Sequence, residues 1–297
     1  MDRTQIFTPE IISTLDNLYL KARLVVEGFI VGLHKSPYHG FSVEFSEHRA
    51  YGHGDEIRHI DWKLWGKTDR LYVKRFEEET NLRSYILVDQ SKSMDYTSKD
   101  ITKLQYAQIL SASLAYLMLK QQDAISITLF DSKIRSYIPP RSKSSHLNVI
   151  LSEMSKIKSG PETEIAPILH HSAESIKKRG LIVLISDLFD DPDKIINGIK
   201  HFRHKGHEVI VFQILDQQEL ELDFSKRTVF VDMESKEKIT TEPWHIQSDY
   251  QKNIRDYCDY LKENCRRNNA DYVQIMTHHP IDIALSEYLI KRKKIGG

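Results

Sequence analysis

Beyond Arg83 the chain alternates short, unbroken apolar runs with longer amphipathic stretches, and no other feature of its 297 residues constrains the fold as much. A short continuous apolar run suits a strand buried on both faces, and such strands occur where helices cover both sides of a parallel sheet. The runs are residues 85–88, 124–130, 181–186, 208–215 and 272–276. Between them, residues 103–120, 146–156, 165–178, 191–204, 249–267 and 281–293 carry apolar side chains at helical spacing. This predicts an α/β fold, a doubly wound, mostly parallel, Rossmann-type central sheet. Ile134 to Ile138 follows Asp131-Ser132 closely enough to return as an antiparallel edge strand, and the stretch from Leu220 to Trp244, with alternating Val229, Val231 and Met233, reads as an inserted β excursion.

The first 80 residues differ in character. Residues 9–33 pattern as one amphipathic helix that could stop near Gly32, and the segment after it breaks into turn signals and short extended pieces such as Phe41-Ser-Val-Glu-Phe45 and Leu71 to Phe76. Residues 1–80 therefore form a helix with a small β-rich element, and residues 81–297 the α/β domain, with the β insertion near 218–245.

Lys plus Arg and Asp plus Glu both number 42, so no overall field draws this chain to nucleic acid or acidic lipid. Its apolar runs fall short of the roughly 20 residues of a membrane span, and the start lacks a leader pattern. A cytoplasmic protein is expected. Cys258 and Cys265 stand about two helical turns apart, too far to bridge, and suit a reducing compartment.

The chemistry gathers where strands end. Residues 85–88 run into Asp89-Gln-Ser91-Lys-Ser93, and residues 181–185 run into Ser186-Asp187. Open α/β sheets bind ligands outside the carboxyl ends of their strands. If the two strands are neighbours, both carboxylates face one crevice. Two carboxylates with hydroxyls suit a hard cation such as Mg²⁺, and the absence of sulfur or imidazole from these loops disfavours zinc or copper. Taken alone, Asp and Ser after a strand are also ordinary turn and cap residues.

Asp89-x-Ser91-x-Ser93 after an apolar strand resembles the metal-ion-dependent adhesion site of von Willebrand factor A domains. That resemblance implies a Thr on a loop before a helix and an Asp after a later strand, and Thr163 and Asp187 stand in that order. Upstream, Tyr51-Gly-His-Gly54-Asp55-Glu-Ile-Arg58-His-Ile-Asp61-Trp62, followed by Leu71 to Glu79, is similar to the family known as domain of unknown function 58. His53 stands where that family usually has Pro, and Gly66-Lys67 where it has Ala-Arg. The Gly54-Asp55-Arg58-Asp61-Trp62 segment reads as a tight turn and charge-paired stretch that docks the N-terminal element, with a binding surface as the alternative.

The resemblance implies a von Willebrand factor A-like domain with Mg²⁺ or Mn²⁺ at Asp89, Ser91, Ser93, Thr163 and Asp187. It also implies a non-enzymatic protein-binding role beside a MoxR-type AAA+ ATPase, or with a client protein that supplies an acidic side chain. The alternative is a Mg²⁺-dependent hydrolase of phosphate esters, since a strand-end carboxylate pair can also activate water. Other signals are set aside: the chain has no Gly-x-x-x-x-Gly-Lys phosphate loop. His201, His204 and His207 read as a solvated face, and Lys291 to Lys294 as a solvated helix end.

Overall fold

The structure, a computed structural model, describes residues 17–35, 48–50, 52, 65–66, 71–74, 82–160, 164–231 and 237–296. In chain order the elements are α1 (Leu18–Lys35), β1 (His48–Ala50), β2 (Tyr72–Lys74), β3 (Arg83–Asp89), a 3-10 turn (Ser93–Asp95), α2 (Lys103–Lys120), β4 (Ala124–Phe130), β5 (Ile134–Arg141), α3 (His146–Met154), α4 (Ile165–Ser175), β6 (Leu181–Ser186), α5 (Pro192–His204), β7 (Glu208–Leu215), α6 (Gln217–Glu221), β8 (Thr228–Val231), β9 (Lys238–Thr241), α7 (Pro243–Arg267), β10 (Asp271–Met276) and α8 (Asp282–Gly296). They fall into two compact units, one of Met1–Phe29 with Leu82–Gly297 and one of Ile30–Asn81.

In the smaller unit β1 and β2 pair antiparallel, with Arg49 opposite Val73. The expected strand at 41–45 and the Gly54 to Trp62 segment lie outside the described residues. So does the first part of the helix expected over 9–33. Its later part is α1, which runs through Gly32 to Lys35 rather than stopping there. A glycine inside an apolar helical run costs about 1 kcal/mol relative to alanine and does not by itself end a helix.

The larger unit is built on a six-stranded sheet in the order β10-β7-β6-β3-β4-β5. All its pairings are parallel except β4 with β5, which is the expected antiparallel edge. β5 ends in Pro139-Pro140-Arg141, and prolines that cannot donate to a ladder suit an edge strand and blunt it against further pairing. The inner strands are hidden on both faces, which is why they read as unbroken apolar runs: every residue of β6 is buried. α2 starts at an N-cap in which Thr102 Oγ1 accepts from the Gln105 backbone N–H while the Gln105 side chain accepts from the Thr102 N–H. Both thiols are free and face the core from α7, and burial pushes the Cys265 thiol up to about 12.

Three further sequence readings change. The stretch from Leu220 to Trp244 contains the hairpin β8–β9, but its flanks are helical: α6 precedes it and α7 begins at Pro243, where proline at a first helical turn loses no hydrogen bond. Lys291 is not solvated. It is nearly buried and its Nζ bridges Glu208 at 2.7 Å and Asp271 at 3.1 Å, tying α8 to the starts of β7 and β10. The three histidines do not share a solvated face: His207 is buried edge-on between Tyr85 and Phe202, whereas His201 meets His170 from α4, Nδ1 to Nδ1 at 3.0 Å.

The sheet order sets the site. From β3 the chain builds outward on one side through β4 and β5, then returns to the other side through β6, β7 and β10. The reversal lies between β3 and β6, and the carboxyl ends of the strands at such a reversal are where open α/β sheets bind ligands.

Candidate metal centre at the strand ends

β3 and β6 pair in parallel with Val88 opposite Ile185, so the next residues, Asp89 and Ser186, sit side by side. The Ser186 hydroxyl donates to Asp89 Oδ2 at 2.7 Å, and the Ser91 backbone N–H donates to Asp89 Oδ1 at 2.8 Å. Asp89 has no solvent exposure and Asp187, one residue beyond Ser186, only 1%. Burial and the neighbouring Asp187 push the Asp89 carboxyl up to about 7, against the opposing pull of its hydrogen bonds from Ser186 and Ser91. On the same loop the Ser91 and Ser93 hydroxyls lie 3.0 Å apart, with Ser91 buried and Ser93 partly exposed.

The loop after β6 is held in a left-handed turn at Leu188, φ 60°. A branched residue there is strained by about 1–3 kcal/mol and persists only when its surroundings enforce it. Here the Leu188 N–H donates to Ser186 Oγ at 2.9 Å, and the Tyr257 hydroxyl on α7 donates to the Leu188 and Asp190 carbonyls. The turn fixes the backbone just beyond Asp187. Asp187 Oδ1 accepts from the Phe189 N–H at 3.3 Å, and its backbone carbonyl accepts from the buried Gln213 side chain at 2.9 Å.

Thr163 lies outside the described residues, but its flanks are tied to both loops. The Gly160 N–H donates to the Gln90 carbonyl at 2.7 Å, and the Ile165 N–H, at the start of α4, donates to Asp190 Oδ2 at 2.9 Å. Gly160 has no room for a side chain, since a β-carbon there would lie 1.8 Å from Oδ2 of Asp131, a buried carboxylate held by Arg135. Gly160→Ala is expected to lower stability by about 1–3 kcal/mol, the usual range for overpacking a filled site, as read by urea unfolding. A cost below about 0.5 kcal/mol would show that this loop is not fixed as described.

Two residues that the sequence reading missed complete the centre. Lys103, the first residue of α2, has no solvent exposure, and its Nζ donates to Asp187 Oδ2 at 2.7 Å and to Glu219 Oε1 at 2.6 Å. Burial opposes its charge, but Asp187 and Glu219 outweigh that and hold the amine above its ordinary value. Glu219 stands on α6, where Asp216 caps the helix and donates its own N–H to Glu219 Oε2 at 2.8 Å. Asp216 also accepts from the Ser98 N–H and hydroxyl, so the loop after β7 is stitched to the loop after β3. Lys103 looks like any first-turn lysine in sequence, and only its depth in the fold marks it.

Among the described residues no three His, Cys, Asp or Glu side chains form a metal cage by themselves. The donor set here is mixed instead: two buried carboxylates with two hydroxyls beside them. That chemistry fits a hard, oxygen-loving divalent ion, which takes one or two carboxylates and keeps water in its remaining positions.

The uncharacterized protein Mb1516 of Mycobacterium bovis is 25% identical over 240 residues, covering 79% of this chain and 74% of its own length. The crystal structure of the conserved hypothetical protein BatB from Bacteroides thetaiotaomicron aligns with a TM-score of 0.51 at 16% identity, over 72% of this chain and 99% of that one, a likeness that bears on the fold alone. The SpRpn10 VWA domain aligns more loosely, with a TM-score of 0.39 at 9% identity over 69% of this chain and 94% of that one. Among the described residues no helix is long and apolar enough to cross a membrane. With its family model matching residues 47–259, the chain belongs to the family described as protein of unknown function DUF58.

Proposed function

We propose that the chain is a non-enzymatic, metal-dependent protein-binding module. In this reading Asp89, Ser91 and Ser93, with Thr163 and Asp187, hold one Mg²⁺ or Mn²⁺ ion whose open positions accept an acidic side chain from a partner. The observation that carries it is the placement of two buried carboxylates at adjacent strand ends of the switch point, beside two hydroxyls 3.0 Å apart. When bound, such an ion would act as an electrophilic contact for a carboxylate. Thr163 enters this reading through the resemblance alone. Phe189, two residues past Asp187, is 39% exposed, and an aromatic on the rim of a polar site suits protein docking.

The partner in this reading is a MoxR-type AAA+ ATPase, a client protein, or both. It rests on the resemblance set out above, and on the chain's lack of a phosphate-binding loop of its own, so that any ATP-driven work belongs to the partner. The test is capture of the purified MoxR-type ATPase from the same organism on immobilised protein. Capture in Mg²⁺ should drop at least tenfold in EDTA and with Asp89→Ala. Equal capture in all three would sink the metal-bridged reading.

A further inference from the structure

Lys103 stands where a second cation would. Its Nζ lies between carboxylate oxygens from two different strand-end segments, Asp187 after β6 at 2.7 Å and Glu219 after β7 at 2.6 Å. It also lies 4.9 Å from the centroid of the Phe189 ring and 6.0 Å from that of Tyr96. Buried carboxylates repel one another, and a pair converges on one point either by taking up a proton or around a positive charge, which here is the Lys103 ammonium. An ammonium on a flexible stem is a compact point charge and can serve as that cation, whereas the planar fork of arginine would need a wider slot. Asp187 is the shared member: Oδ2 faces Lys103, while Oδ1 holds a long 3.3 Å bond to the Phe189 N–H and keeps lone-pair capacity for an ion beside Asp89. A carboxylate shared between two neighbouring cation positions is how paired-metal centres are built, and those pairs clamp the two oxygens of a displacement reaction.

We propose that Lys103 is a tethered cation occupying the second metal position of this centre, between Asp187 and Glu219, and that it holds the centre to a single divalent ion. The inference rests on the metal reading above for the first ion, but not for the second position, which Lys103 and Glu219 define. It makes Lys103 a positioning residue: it fixes Asp187 and sets how many ions the crevice takes. A centre restricted to one ion lacks the two-metal clamp and leaves its ion for recognition.

The test counts bound Mn²⁺ by electron paramagnetic resonance on EDTA-stripped protein. Wild type should bind one ion, Lys103→Met two, and Lys103→Met with Glu219→Gln one again, whereas Asp89→Ala should remove the first ion only. A Lys103→Met protein that binds no more ions than wild type overturns the inference. If wild type binds none, the metal reading fails, and a Glu219-dependent ion gained by Lys103→Met still supports the second position. Should Lys103→Met not fold, ¹⁵N-lysine spectra of wild type decide. A slowly exchanging Lys103 ammonium that persists in saturating Mg²⁺ supports coexistence of the two cations, and its loss on adding Mg²⁺ shows displacement and overturns the inference.

Discussion

Replacing Asp187 with alanine is expected to cost about 3–5 kcal/mol of folding stability and to abolish any stabilisation by Mg²⁺. The cause is the partner left behind. Lys103 has no solvent exposure, and without Asp187 its ammonium keeps Glu219 as its remaining ion-pair partner. Deleting one carboxylate from a buried network leaves an ammonium that water cannot reach with half of its compensating charge, which costs far more than the network contributed on balance. Urea unfolding with and without Mg²⁺ checks both parts. Adding Lys103→Met should make the loss less than additive, because the stranded charge goes with it. A loss under about 1 kcal/mol for Asp187→Ala would mean that the ammonium finds water and that the network is not buried as described.

Asp89→Asn should do the opposite, raising the stability of EDTA-treated protein by about 4 kcal/mol at pH 8. In the folded protein, burial and Asp187 push the Asp89 carboxyl up to about 7, above its ordinary 3.8. A raised acid is a liability wherever the unfolded chain would ionise. The cost is absent below about pH 4, grows as pH rises from there, and is complete above about pH 7. Asparagine removes the charge and keeps an acceptor, so its advantage should vanish near pH 4. Saturating Mg²⁺ should reverse the ranking at pH 8, because an ion at Asp89 stabilises wild type by mass action and has no carboxylate to hold in the variant. Equal stability of the two proteins across this pH range would show that Asp89 bears no such penalty. Two aspartates that look alike in sequence, each ending a strand, thus have contrary effects, because one has Lys103 against it and the other faces its neighbour's charge.

Much of the fold was legible from local pattern. β4, β6, β7 and α2 run over the residues that the apolar runs and helical spacing predict, because buried parallel strands and amphipathic helices leave periodicities that do not depend on distant partners. The boundaries that moved did so for local reasons as well. Pro243 starts a helix that the pattern places at Asp249, and Gly32 is carried inside α1. The antiparallel edge followed from the short interval between Phe130 and Ile134, too brief for a crossover.

The centre divides along the same line. Asp89, Ser91, Ser93 and Asp187 could be picked out by sequence because each stands at or just beyond the end of a strand, and a strand's end is a local property. Lys103, Glu219 and the ties at Gly160 and Ile165 could not, because they depend on which strand ends meet. That was decided by the order β7-β6-β3 and by the stitches from Asp216 to Ser98, which join residues 118 positions apart. By itself the sequence determined the elements, the parallel sheet and the carboxylates at the mouth of the crevice. Tertiary structure alone decided that a buried lysine stands among those carboxylates, since nothing local to Lys103 sets it apart from a lysine in water.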